Sequence, residues 1–350
     1  YNYSNDRNYY LDSIDYGNKD RVQYNYDKYG RLITETYVDY GQDIKDTVSY
    51  RYDNDGALVA VYDSASGITA RQYYDLSGRN VGYSETADNF RHTMLYRYNS
   101  DNNLIQQVEE IDGTERTTSY TYDLDNRVTA ITTDGTTVAY TYDGFGRVTQ
   151  QVTKLKGETA EQDQVILTEY FTFTEPSATA TSGQVATYRT VAQGLDITYS
   201  YTYDASGNIL TVSDGTNTTT YSYDSANQLI REDNQAKGVS YIWIYDDAGN
   251  LKHTEEFAYT NPGTPLTRTK GTDTHTYGSK IWGDLLLAYN GTAIQYDGVG
   301  NPIVHGSTRY AWEHGRQLKT LYDGVDNWTF EYDANGMRLN RTDSAGAESN

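Results

Sequence analysis

The sequence has no cysteine, two methionines, four prolines, and only 28 lysines and arginines against 49 acids. Each shortage excludes something. Without thiols there is no disulfide framework and no thiolate metal site. The five histidines, His92, His253, His275, His305 and His314, stand far apart without paired spacing. A formal charge of −21, with the cations scattered among acids, argues against nucleic acid, because phosphate binding needs clustered Lys and Arg. No window approaches about eighteen consecutive apolar residues, so no membrane span is expected. The chain opens Tyr-Asn-Tyr with no charged-then-apolar leader, and reads as an internal piece of something longer. Leu, Ile, Val and Phe make up 61 of 350 residues, under the roughly 20% below which a strongly charged chain is normally disordered. What it has instead is 38 tyrosines. Tyrosine is a strong strand former that disordered chains usually lack.

The tyrosines are periodic. A motif Tyr-x-Tyr-Asp-x-x-Gly-(Arg/Asn)-aliphatic recurs with its second aromatic, the anchor, at Tyr26, Tyr52, Tyr74, Tyr98, Tyr122, Tyr142, Tyr203, Tyr223, Tyr245, Tyr296, Trp312 and Tyr332. In ten copies an aspartate follows: Asp27, Asp53, Asp75, Asp123, Asp143, Asp204, Asp224, Asp246, Asp297 and Asp333. Four places after the anchor stands Gly30, Gly56, Gly78, Gly146, Gly207, Gly249, Gly300 or Gly336, or else Asn102, Asn126 or Asn227. These residue types accept positive φ, as the close of a type I turn with a bulge requires. The aspartate opens that turn, where its carboxylate can accept from the amide two residues on. Trp312 departs from the pattern, with Gly315 one place early, and a tighter turn is expected there. A degenerate copy surrounds Phe171 and Phe173, and Tyr3 resembles the remnant of another.

Between anchors come Asp112-Gly113, Asp134-Gly135, Asp214-Gly215 and Asn290-Gly291, the dipeptides of two-residue hairpin turns. Each repeat is therefore one β-hairpin, and helix is nearly absent because no stretch shows sustained 3.6-residue periodicity with caps. The expected fold is all-β: an antiparallel hairpin meander of about 13 repeats, one segment over 1–350 with loop insertions near 154–169 and 252–280. Strand alternation puts Tyr140 with Tyr142, and Tyr201 with Tyr203, on one face, leaving a Thr/Ser/Asp/Lys surface on the other. Burying dozens of phenol hydroxyls in a dry sandwich costs about 1–3 kcal/mol for each one left unpaired. A sheet curling into a hollow shell or barrel-like strip avoids this, because the hydroxyl tips reach water, backbone or cargo.

No catalytic, cofactor or metal site is expected. Asp53-Asn54-Asp55-Gly56 superficially suggests calcium, but it lacks a twelve-residue loop and a distal Glu. One aspartate per hairpin at the same turn position is a structural placement, not a catalytic pair. Aromatics beside Asp and Asn also suit carbohydrate, and the Lys252–Lys280 insertion, with Pro262-Gly263 and Pro265, is a long loop of the kind that carries function. Surface glycans are therefore a candidate partner. Open terminal strands make edge-to-edge self-association another.

The pattern resembles the RHS or YD-repeat proteins. The likeness is strongest from Ile281-Trp282-Gly283-Asp284 through Tyr296-Asp297-Gly298-Val299-Gly300-Asn301-Pro302, then Tyr310-Ala311-Trp312-Glu313-His314-Gly315-Arg316 and Tyr332-Asp333-Ala334-Asn335-Gly336. The resemblance covers nearly the whole chain and implies a spiralling sheet that closes into a hollow cocoon. In related polymorphic toxins and toxin complexes such a shell encloses a C-terminal toxin. In the similar teneurins it is an extracellular adhesion scaffold. It further implies that the chain is a non-catalytic wall segment of a secreted or cell-surface bacterial protein, with further repeats and a C-terminal toxin as partners. Self-processing members carry an Asp-Pro-rich core segment after the repeats, and this sequence contains no Asp-Pro dipeptide.

Overall fold

A computed structural model describes residues 1–4, 10–15, 21–38, 43–88, 90–159, 162–175, 183–260, 264–278, 283–298, 300–313, 317–332, 336–346 and 348–349. Among them there is no α-helix, and therefore none long and apolar enough to cross a membrane. The pairings are antiparallel and join strands consecutive in sequence, from Asn2–Tyr3 with Leu11–Asp15 to Arg338–Thr342 with Glu348–Ser349. The expected all-β hairpin meander is what forms.

The motif turns fold as their residues dictate. In the hairpin Thr136–Tyr142 with Val148–Leu155, the Gly146 amide donates to the Asp143 carbonyl at 3.0 Å and the Asp143 amide to the Arg147 carbonyl at 3.0 Å. The register slips by one residue there, Thr141 facing Gln150 and Tyr142 facing Val148. A type I turn closed by a left-handed residue and a bulge has this geometry. All eleven of the named glycine and asparagine positions have positive φ, from 61° at Asn126 and Asn227 to 92° at Gly56. The turn after Trp312, including Gly315, lies outside the described residues, as do Asp333 and the Pro262-Gly263 part of the insertion.

The second turns correct part of the expectation. Asp112-Gly113 and Asn290-Gly291 have φ of 49° and 85°, and 47° and 76°, as a two-residue mirror-image turn requires. Asp134-Gly135 does not, since neither residue has positive φ. Thr133 and Thr136 close that hairpin instead, with amide to carbonyl at 2.8 Å and hydroxyl to hydroxyl at 2.9 Å. At Asp214-Gly215 only the glycine is left-handed. The loop spans Asp214 to Asn217, and the Asp214 carboxylate takes the amides of Thr216 and Asn217 at 2.8 and 2.6 Å. A local carboxylate or hydroxyl acceptor competes with the backbone turn and wins in both cases.

The loop insertions expected near 154–169 and 252–280 are partly strand. Residues 164–169 belong to Gln164–Phe173, and 252–258 to Leu251–Ala258, which is followed by an isolated bridge between Phe257 and Arg268.

The contacts group into two compact units. One comprises Tyr1–Asn99, Gln107–Arg116 and Thr292–Asn350, the other Ser100–Gln106 and Thr117–Gly291. The first holds a small core of Val48, Val61 and Ala70 under Tyr37, Tyr50, Leu58 and Tyr83. Beside it the buried Asp46 carboxylate takes the Ser64 hydroxyl and the Ala65 amide at 2.7 and 2.9 Å, and that amide also donates to the buried Asp63 at 2.8 Å. In the second unit the buried described residues are Ser240, Phe257 and Thr260. Its sheet is half-buried on the aromatic face, where Phe171, Tyr188 and Tyr199 stack across three strands with ring centroids 5.2 and 6.3 Å apart. The opposite face carries threonine pairs, Thr172 with Thr187 at 2.7 Å and Thr202 with Thr211 at 2.6 Å.

Candidate functional site

The feature that recurs through both units is a clamp between successive repeats. Strand alternation turns each anchor ring toward the preceding hairpin, and its polar tip reaches that hairpin's backbone. Tyr52 donates to the Leu32 carbonyl at 2.9 Å, Tyr74 to Leu58 at 3.2 Å, Tyr122 to Leu104 at 2.6 Å and Tyr142 to Val128 at 2.6 Å. Tyr203 reaches Val185 at 2.8 Å, Tyr223 Ile209 at 2.9 Å, Tyr245 Leu229 at 2.9 Å and Tyr332 Leu318 at 3.0 Å. Tyr26 and Tyr98 do the same to Leu11 and Asn80 at 2.9 and 2.7 Å, and Trp312 substitutes its indole N–H, donating to Pro302 at 2.6 Å.

The acceptor is always well placed for this role. Val128 is the residue facing Tyr122 across the bulge, and Leu32 the residue facing Tyr26. The ladder from Leu32–Val38 to Ile44–Tyr52 begins only at Thr34 with Ser49, so the Leu32 carbonyl has no strand partner on that side. The next tyrosine supplies the missing donor. The aliphatic position that ends the motif thus gives its carbonyl to the following copy.

The aspartates fix the turn. Asp123 accepts from the amides of Asp125 and Arg127, both at 2.9 Å, while its other oxygen takes Arg127 Nε at 2.7 Å. Asp27, Asp75 and Asp143 repeat this with Arg31, Arg79 and Arg147. Asp204, Asp246 and Asp297 use the side-chain amides of Asn208, Asn250 and Asn301 at 2.9, 3.1 and 2.8 Å. Asp53 and Asp224 cap the amides alone, at Asp55 and Ala57, and at Ala226 and Gln228. The side-chain bond from Arg79 holds the Asp75 carboxyl below the usual range. The Arg127 amide does so for Asp123, and the Asn208 side chain for Asp204.

The same arginines lie on the next anchor ring. The guanidinium carbon of Arg31 is 4.6 Å from the Tyr52 centroid, Arg127 4.9 Å from Tyr142 and Arg79 5.2 Å from Tyr98. Arg147 sits 4.2 Å over Phe173, the degenerate anchor that has no hydroxyl. One repeat therefore reads Asp to Arg to the next aromatic to the previous carbonyl. Sequence reasoning placed the aromatics, aspartates and glycines but gave no role to the arginine or to the aliphatic carbonyl. Both stand in the motif, so the signal was present. It also missed the acidic acceptors on the aromatic face: Glu35 takes the hydroxyls of Tyr37 and Tyr50, each at 3.2 Å, and Glu169 takes that of Tyr188 and the Gln151 amide.

Burial raises the anchor phenols Tyr26, Tyr122, Tyr142, Tyr203, Tyr223, Tyr245 and Tyr296 above their ordinary 10.0. Among the described residues, no group of three or more His, Asp and Glu side chains is placed to hold a metal ion. The arrangement binds backbone to backbone.

Comparison with known proteins agrees with this construction. The RHS repeat family model matches residues 127–159 and 203–234, which contain the Tyr142, Tyr203 and Tyr223 copies. Two solved structures, TcdB2-TccC3-Cdc42 and TcdB2-TccC3 without its hypervariable C-terminal region, each superpose with a TM-score of 0.50 at 14% identity, over 93% of this chain. The chain spans 22% of the length of each, and at that identity the likeness is one of fold. No curated protein matches. With the clamp repeated from Tyr26 to Tyr332 and the family model lying on its copies at 127–159 and 203–234, the chain carries RHS repeats.

Proposed function

We propose that the chain is a non-catalytic wall segment of a secreted or cell-surface RHS shell, which encloses or displays a C-terminal cargo domain. The observation that carries this reading is the anchor clamp. Ten anchors each tie their hairpin to the preceding one through a tyrosine hydroxyl and a carbonyl, with few fully buried side chains anywhere among the described residues. A sheet held by in-plane ties can remain wet on both faces, as a container wall must. The described turn aspartates serve this architecture, each accepting amides of its own loop. The likeness in fold to TcdB2-TccC3 supports the same assignment.

The test is protease protection in the intact natural protein that contains this chain. The cargo segment is expected to resist digestion in the wild type and to become cleavable when Tyr122, Tyr142 and Tyr203 are together changed to Phe. Cargo that is digested equally fast in the wild type would overturn enclosure.

A further inference from the structure

In the first unit lies a groove of about 420 Å³ whose lining includes Arg51, Asp53, Ala60, Arg71, Tyr73 and the anchor Tyr74. Its size falls in the range of ligand pockets, about 300–1,000 Å³. The register sets Arg51 opposite Ala60, and Ala60 opposite Arg71. The three side chains therefore share a face, with the arginine Cα atoms about 10 Å apart across three strands and only a methyl group between them. Both arginines are exposed, and neither makes a hydrogen bond, ion pair or ring contact with a described residue. The motif arginines Arg31, Arg79, Arg127 and Arg147 are each held by an aspartate at 2.7 Å. In a chain of charge −21, two unclaimed guanidiniums beside one groove are poised for an anion from outside.

The third charge in the groove narrows the ligand. Asp53 belongs to the copy in which Ala57 stands where most other repeats place Arg or Asn. Its Oδ1 takes two amides, at 3.0 and 2.8 Å, and its Oδ2 has no donor among the described residues. Tyr73 forms a wall. Its hydroxyl is 3.2 Å from the Ser84 hydroxyl, its ring rests against Gly82, where an added Cβ would come within 3.4 Å, and it remains 48% exposed. The groove offers two cations, one acceptor oxygen and an aromatic surface.

We propose that this groove binds a dicarboxylic amino acid, with Arg51 and Arg71 each taking a carboxylate and Asp53 the ammonium. The ligand's two negative charges and one positive charge are the inverse of the site's. Inorganic phosphate concentrates its charge and confronts Asp53, a neutral sugar leaves both guanidiniums unused, and a plain dicarboxylate offers Asp53 nothing. This goes beyond the shell reading and does not depend on it.

The experiment is titration of the chain with L-glutamate by calorimetry, with glutarate, glutamine and inorganic phosphate as comparisons. Glutamate is expected to bind saturably, at least about tenfold more tightly than each of the others. The double variant Arg51→Gln/Arg71→Gln should lose that binding with an unchanged thermal melt, since neither side chain has a partner among the described residues. Asp53→Asn, which keeps the Oδ1 acceptor of the turn, should erase the preference for glutamate over glutarate. Phosphate binding as tight as that of glutamate, undiminished glutamate binding in the double arginine variant, or no saturation with glutamate would each overturn the proposal.

Discussion

At the scale of the residue, backbone conformation was the most legible part of the sequence, because it is decided locally. A glycine or asparagine four places after an aromatic anchor forecasts a positive φ, and Gly207 has one of 91°. Gly207→Val places a β-branched side chain there, with a Cβ only 3.1 Å from Gln184 Nε2, and is expected to cost about 1–3 kcal/mol in thermal melts. Gly135 is the internal control. It has no left-handed φ and nothing within 4 Å of an added Cβ, so Gly135→Ala should be neutral or stabilise by about 0.4–1 kcal/mol. Equal effects of the two changes would contradict the turn geometry. Asp63 was illegible, because its neighbour Asp46 is set by strand register and not by motif. Burial, followed by the charge of Asp46, pushes the Asp63 carboxyl above its ordinary 3.8. A raised carboxyl favours the fold when protonated, and that contribution is lost as pH rises through the raised value. Asp63→Asn retains an acceptor for the Ala65 and Ser66 amides and removes the charge. It should therefore raise the melting temperature at neutral pH, with the gain vanishing as the wild-type carboxyl protonates at lower pH.

At the scale of the element, hairpins and their aromatic face followed from alternation, but the bond joining one hairpin to the next did not. Sequence order says that Tyr142 shares a face with Tyr140. It does not say that the bulge leaves the Val128 carbonyl within 2.6 Å of the Tyr142 hydroxyl. The two mistaken hairpin turns have a related cause. Asp-Gly reads as a two-residue turn until Thr133 or the Asp214 carboxylate offers the backbone a different partner. Tyr142→Phe isolates the clamp, since the ring and its contact with Arg127 remain while the donor is lost. The expected destabilisation is about 0.5–1.5 kcal/mol, measured by denaturant unfolding. Tyr170→Phe, on the opposite face and without a hydroxyl partner among the described residues, should change little. A cycle combining Arg127→Met with Tyr142→Leu should show a coupling of about 0.5–1 kcal/mol, the value of an exposed cation over a ring. Zero coupling would leave Arg127 as a turn residue alone.

At the scale of the molecule, the shortage of Leu, Ile, Val and Phe ceases to indicate disorder once tyrosine is seen to do two jobs, covering strand surface with its ring and bonding backbone with its tip. That dual use ties folding to the ionisation of phenols. Burial raises Tyr26, Tyr122, Tyr142, Tyr203, Tyr223 and Tyr245 above 10.0. A phenol with a raised folded value contributes stability that is complete below 10.0 and is lost as pH climbs through the folded value. Ionisation also removes the hydrogen that each clamp donates, so the tie fails at the moment the ring becomes charged. On the acid side the turn carboxyls Asp75, Asp123, Asp204 and Asp246, held below 3.8 by Arg79, Arg127, Asn208 and Asn250, contribute stability above 3.8 that disappears as pH falls through their lowered values. The chain should therefore hold a stability plateau bounded by turn aspartates below and anchor tyrosines above. The late part of the tyrosinate absorbance, which the buried anchors supply, and the β-sheet circular dichroism, followed together through an alkaline titration, should change in one coincident step. Replacing Tyr122, Tyr142, Tyr203 and Tyr223 with Phe should lower stability at neutral pH and flatten the alkaline limb, because the groups that titrate there are gone. A smooth rise of tyrosinate under an unchanged sheet signal would mean that the anchor hydroxyls do not carry the repeat-to-repeat bond.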